Sequence, residues 1–169
     1  MNEQDSALFK AVRSRRLAEV KRLVEAGANV NARKADGNVP LHHTYNVDIA
    51  EYLVKKGADV NVVGAYRATP LHCAAFKGIY DVVSLLIEKG ANVNSRGPGG
   101  STPLLFAAEM SSARVKNAKY LEVVKLLVEN GADVNLANEK GMKPIDFAEN
   151  RLVASYLRKA GAKEQEKCK

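Results

Sequence analysis

Thr69-Pro70-Leu71-His72-Cys73-Ala74, followed at a distance by Gly90-Ala91-Asn92-Val93-Asn94, is the passage from which the rest of the chain can be read. A proline just after a threonine marks a helix start: the missing N–H costs nothing at the first helical position, and the hydroxyl can cap it. A glycine after an apolar run marks a helix end, because it adopts the left-handed cap readily. The two strings recur in phase. Gly-Ala-Asn/Asp-Val-Asn begins at Gly27, Gly57, Gly90 and Gly131, with a broken copy at Gly161. Thirteen residues after each of the first four glycines stand Pro40-Leu41, Pro70-Leu71, Pro103-Leu104 and Pro144-Ile145. Such self-similarity is the signature of a stacked repeat, and it decides the fold.

Two short helices fit between the strings of each repeat. The second is the clearer: Val82, Val83, Leu85 and Leu86 recur as Val123, Val124, Leu126 and Leu127. Looser matches are Val20, Leu23 and Val24, then Ile49, Tyr52 and Leu53, then Val153, Tyr156 and Leu157. These offsets place the apolar groups on one helix face. The first helix carries small residues at matching places, namely Ala11, Ala74-Ala75, Ala107-Ala108 and Ala148, which let helices approach closely. Thr69 through Ala74 resembles the Thr-Pro-Leu-His-x-Ala signature of ankyrin repeats, and Gly90 through Asn94 resembles the link to the next repeat. The resemblance runs from about Asp5 to Lys163. It implies an all-α ankyrin-repeat solenoid of antiparallel helix pairs joined by β-hairpin-like loops. The expected units are 1–33 as an N-terminal cap, 34–63, 64–96, 97–137 and 138–163 as a C-terminal cap, with a charged tail at 164–169.

Departures from the repeat carry information. Units 34–63 and 138–163 are three residues short between proline and glycine, which predicts tighter loops at Tyr45-Asn46 and Glu149-Asn150. Unit 97–137 is eight residues longer, an insert at 110–119 with Arg114, Lys116 and Lys119 and no acid. Loops on a solenoid edge can drift neutrally or form a binding lip. Val39 and Lys143 replace the capping threonine, and Leu105 and Asp146 replace the histidine. The first and last hairpins are accordingly expected to be less rigid than the one at Thr69.

Composition narrows the chemistry. The 169 residues carry 26 Lys+Arg against 19 Asp+Glu, a formal charge of +7, with no Trp and 6% aromatics. An aromatic platform for stacked bases is therefore not expected. Two cysteines cannot make a disulfide scaffold or a structural zinc site. The start MNEQDSALFK has no apolar run for a signal peptide, and no stretch approaches a membrane span. A reducing, cytoplasmic setting is the expectation.

His42, His43, His72 and Cys73 invite a metal reading. Repetition argues against it, because equivalent positions in stacked helices lie roughly 8–10 Å apart. In ankyrin proteins this histidine typically ties the helix start to the hairpin. His43 reads as a satisfied interior polar group. Gly97-Pro98-Gly99-Gly100-Ser101-Thr102 lacks the Gly-Lys-Ser/Thr ending of a phosphate loop. Cys73 has no base partner, since neighbours in a helix face different ways. No enzyme, metal or cofactor is expected.

What remains is a surface. In ankyrin proteins partners meet the hairpin tips and the first helices, which form a concave groove. The matching positions are Arg13, Arg16, Arg33, Lys34, Asp36, Asn38, Tyr45, Tyr66, Arg67, Phe76, Lys77, Arg96, Ser101, Glu109, Met110, Lys140 and Met142. Tyr and Arg are enriched among interface hot spots, so Tyr66 and Phe76 stand out as anchors. The expected function is a monomeric, non-enzymatic protein-binding module for an acidic or mixed partner, burying roughly 800 Å² on each side. Alternatives are a polyanion or nucleic-acid binder using the groove and insert, or a regulatory, immunity or effector subunit that masks an enzyme or toxin.

Overall fold

The computed structural model describes residues 1–111 and 118–163. Among the described residues nine α-helices follow in chain order: α1 Glu3–Arg13, α2 Leu17–Glu25, α3 Val47–Lys55, α4 Pro70–Lys77, α5 Tyr80–Glu88, α6 Pro103–Met110, α7 Ala118–Glu129, α8 Pro144–Phe147 and α9 Arg151–Lys159. A one-turn 3-10 helix at Pro40–His43 stands where the first helix of the second pair belongs. No strand occurs among the described residues, so the fold is an all-α solenoid.

The helices form two layers. The first helices stack in the order α1, the 3-10 turn, α4, α6 and α8; the second stack as α2, α3, α5, α7 and α9. Leu41, Leu71, Leu104 and Ile145, each one residue past its proline, are buried between them. So are Ile49, Leu53, Val83, Leu86, Val124, Leu127, Val153 and Leu157. Ala74, Ala75, Ala107 and Ala108 are buried too, where α4 and α6 meet. The five repeated glycines after the second helices all have φ between +85° and +97°. That left-handed cap is the reason the string begins with glycine.

Its closing asparagine has a separate job. Asn31, Asn61, Asn94 and Asn135 each donate Nδ2–H to the carbonyl of Gly57, Gly90, Gly131 and Gly161 in the next pair. Each Oδ1 accepts from the backbone N–H of Asp59, Asn92, Asp133 and Lys163 in turn. An amide is needed, because only it offers a donor and an acceptor together. Asp5 plays the acceptor half at the N-terminal end, taking the N–H of Asn29 at 2.9 Å.

A second clasp joins first helix to following hairpin. His42 Nδ1 accepts from Val39 N–H and its Nε2 meets the Ala68 carbonyl, both at 3.1 Å. His72 does the same with Thr69 N–H and the Ser101 carbonyl. Each ring therefore sits against a hairpin that begins on glycine. A Cβ on Gly64 would come within 2.7 Å of His42 Nε2, and one on Gly97 within 2.6 Å of His72 Nε2. Where the preceding pair carries Phe9 or Leu105 instead of histidine, the hairpin begins with Lys34 or Asn138.

The capping exchange compensates for the substitutions seen in the sequence. Thr102 Oγ1 accepts from Leu105 N–H where histidine is absent, and Asp146 Oδ2 accepts from Lys143 N–H at 2.8 Å. One expectation is corrected. The three missing residues come out of the first helix rather than the loop, leaving single turns at Pro40–His43 and Pro144–Phe147. Three residues, 44–46, still join the 3-10 turn to α3, against two between α4 and α5. A connection reversing the chain has a minimum length, whereas a helix can lose a turn and keep its buried Leu41.

Candidate functional site

On a helix, residues two apart point about 200° from each other. The position one past each proline is buried, so the position three past it must face away from the core. There stand His43, Cys73 and Phe106, and they line a cleft of about 280 Å³ on the first-helix layer. Tyr45, Phe76 and Lys77 complete its working surface, with His42, His72, Asn38, Ala68 and Pro98 at its base and edges.

The walls are aromatic and held in place. Phe76 packs edge-on against Phe106 with centroids 5.9 Å apart, and His72 meets Phe106 at the same distance. Phe76 nonetheless keeps 38% of its surface exposed. Behind it, Tyr120 Oη donates to the Phe76 carbonyl at 3.1 Å and Lys119 Nζ donates to the Lys77 carbonyl at 3.0 Å. These are carbonyls that the end of α4 cannot satisfy internally. The insert thus ends as an extra turn of α7 that braces the cleft helix. Arg114 and Lys116 lie outside the described residues.

Lys77 lines the cleft, and Lys34 lines a separate hollow close enough to act on His43. Lys77 Nζ lies 5.4 Å from the Phe76 ring centre, and Lys34 Nζ lies 4.8 Å from that of Phe9, whose edge meets His43. Burial, with Lys34 next, pushes the His43 pKa down, so the ring is neutral near pH 7. Its Nε2 is buried with no hydrogen-bond partner among the described residues, which corrects the expectation of a satisfied interior group. Burial pushes the Cys73 thiol up to about 11, so it stays protonated and is a poor nucleophile.

The remaining expected residues scatter. Tyr66 and Arg67 occupy a hairpin tip away from the cleft lining, Tyr66 with 87% of its surface exposed. Both have left-handed backbone, φ +53° and +65°, at the places held by Gly99 and Gly100 in the next hairpin. Arg33 and Arg96 are exposed but spend Nη1 on hairpin carbonyls, Gly37 and Val63 for one, Gly100 and Ala137 for the other. Asn38 Oδ1 accepts from Ala65 N–H, and Asp36 accepts from Asn38 N–H, which holds its carboxyl below the usual range. Arg13 lines a hollow with Lys34; Arg16 lines another beside Glu19. Glu109 and Lys140 share a third with Phe147, and Met110 and Met142 are half-buried. Ser101 is buried at 7% exposure, lines the hollow of Glu109 and Lys140, and gives its carbonyl to His72.

His43, Cys73 and Phe106 line the cleft although none is among the positions that the repeat pattern matches to a partner surface. The available signal was angular: leucine at one past the proline excludes three past it from the same face.

A family model described as ankyrin repeats (3 copies) matches residues 1–64 and 63–138. Among curated relatives, an ankyrin repeat protein of fowlpox virus (strain NVSL) is 37% identical over 76 residues, 42% of this chain and 15% of its own length. The 2-5A-dependent ribonuclease of Homo sapiens is 38% identical over 80 residues, 45% of this chain and 11% of its own length. The chain thus spans a small part of either relative.

Proposed function

The chain belongs to the ankyrin-repeat family, whose repeats are generally protein–protein interaction modules, and from that premise we propose a non-enzymatic binding module that holds a partner protein on its first-helix face. The cleft between Tyr45, Phe76 and Phe106 seats the partner, and the Tyr66–Arg67 tip is a second contact. One observation carries the reading: Phe76 stays partly exposed although the backbone beneath it is fixed by the Tyr120 hydrogen bond. A rigid, open aromatic surface loses little entropy on binding, which is the property of a hot spot. Left-handed backbone at Tyr66 and Arg67 supports the tip, since such strain concentrates at working sites.

Affinity capture with the wild-type chain and with a fourfold alanine variant at Tyr66, Arg67, Phe76 and Lys77 tests this. The expected result is loss of the captured partner with unchanged helicity by circular dichroism. Equal capture by both proteins refutes the assignment. Binding that transfers to a DNA oligonucleotide and falls steeply with salt favours the polyanion reading instead.

A further inference from the structure

We propose that the cleft takes an acidic segment of a partner protein carrying one large apolar side chain, the apolar group against Phe76 and Phe106 and the flanking carboxylates against Lys77 in the cleft and Lys34 and Arg13 in the hollow next to His43. This rests on the partner-binding reading above and adds the chemistry of what binds. Size is the first argument. At about 280 Å³ the cleft falls just under the roughly 300–1,000 Å³ of small-molecule sites, which suits a single side chain rather than a cofactor.

Charge is the second. The ion pairs among the described residues, Glu19–Arg22, Glu88–Lys89 and Glu122–Lys125, all lie on the second-helix layer or its end. Arg13, Lys34 and Lys77 have no carboxylate partner among the described residues. Asp36, the acid near His43, is engaged by the N–H and Nδ2–H of Asn38. Asp36 stays ionised beside Lys34, yet Lys34, Arg13 and Lys77 together leave this face an excess of positive charge, and complementary charge steers and orients a partner. Lys34 and Lys77 rest on aromatic rings, which restrains them before binding and lowers the entropy lost. The Phe76–Phe106 pair is edge-to-face, at 87° between planes, so it offers no run of parallel faces for successive bases. That geometry favours a protein segment over a nucleic acid.

The test is an NMR titration of the 15N-labelled full chain with blocked nonapeptides of alternating glutamate and serine. One has a central phenylalanine, one a central alanine, and one has lysine for every glutamate; an oligothymidylate of equal charge is the fourth probe. The phenylalanine peptide is expected to shift the amides of Cys73 to Lys77 and of Phe106. Its Kd should be at least about tenfold lower than that of any other probe. The surface variants Phe76→Ala and Lys34→Glu with Lys77→Glu should each raise that Kd about tenfold without changing helicity. Equal binding of the alanine peptide or the oligonucleotide overturns the proposal, as does an absence of shifts in the cleft. Cleft-dependent capture of a partner together with no preference for the acidic peptide overturns this inference alone. Peptide binding with cleft-independent capture overturns the functional reading instead.

Discussion

Tyr66 and Arg67 stand in left-handed backbone where the neighbouring hairpin uses Gly99 and Gly100. The conformation costs an L-residue about 1–2 kcal/mol, part of which glycine gives back through its freer unfolded chain. Tyr66→Gly is therefore expected to raise stability by up to about 1 kcal/mol in urea titrations while weakening partner capture. A variant that is less stable, or that captures as well as wild type, would count against the tip. A second residue-scale expectation concerns acid. The His72 ring accepts a proton-bearing neighbour at Nδ1, and burial pushes its pKa from the ordinary 6.5 to about 4. The unfolded chain then binds a proton between those values that the folded chain refuses. Stability is full above pH 6.5 and declines as pH falls toward 4, by about 3 kcal/mol for this group. His42 shifts the same way. Urea midpoints at pH 7.5 and 4.5 check this, and His72→Leu, matching Leu105, should flatten the slope. The repeated histidine and its latch were legible from the resemblance alone. The unpaired Nε2 of His43 was not, because its neighbours come from Phe9 and Lys34 of the preceding pair.

Among the elements, the repeat phase located the start of each first helix after α1 at its proline and the end of each second helix just before its glycine. Sequence length could not say which element would absorb a deletion. A helix turn was given up at Pro40–His43, leaving the 3-10 bonds His42 N–H to Val39 O at 3.1 Å and Thr44 N–H to Leu41 O at 3.3 Å. Such short turns have poorer hydrogen-bond geometry than an α-helix. Native-state hydrogen exchange should find the His42 and Thr44 amides less protected than those of Ala74 and Ala75 in α4. Equal protection would mean that stacking alone sets local stability. The cleft was half legible: Phe76 and Tyr45 stood out as aromatics, whereas the bracing Tyr120 depends on an extra turn that no other pair has.

Across the whole molecule, stability is carried between neighbours, since among the described residues each pair packs mainly on those beside it. The asparagine ladder runs across every one of those joints. Asn94→Ala removes two inter-pair hydrogen bonds and leaves the Gly131 carbonyl and Asp133 N–H without their protein partner. A loss of about 1–3 kcal/mol is expected, with the thermal transition broadening as the C-terminal pairs melt separately. A single sharp transition, merely shifted, would show that the apolar stack alone couples the array. At this scale the three ion pairs among the described residues all fall on the second-helix layer or its end.

The fit between each latch histidine and the glycine that opens the following hairpin makes the repeats directional rather than interchangeable. His42 requires Gly64 and His72 requires Gly97, so a repeat is defined partly by what may come after it. Transplanting the hairpin that begins at Asn138 to a place behind His72 would drive a side chain into the imidazole. The reverse graft, a glycine hairpin behind Leu105, meets no such collision. The order of the array is thus written into its joints, and evolution or engineering can duplicate these repeats only by moving each histidine together with its glycine.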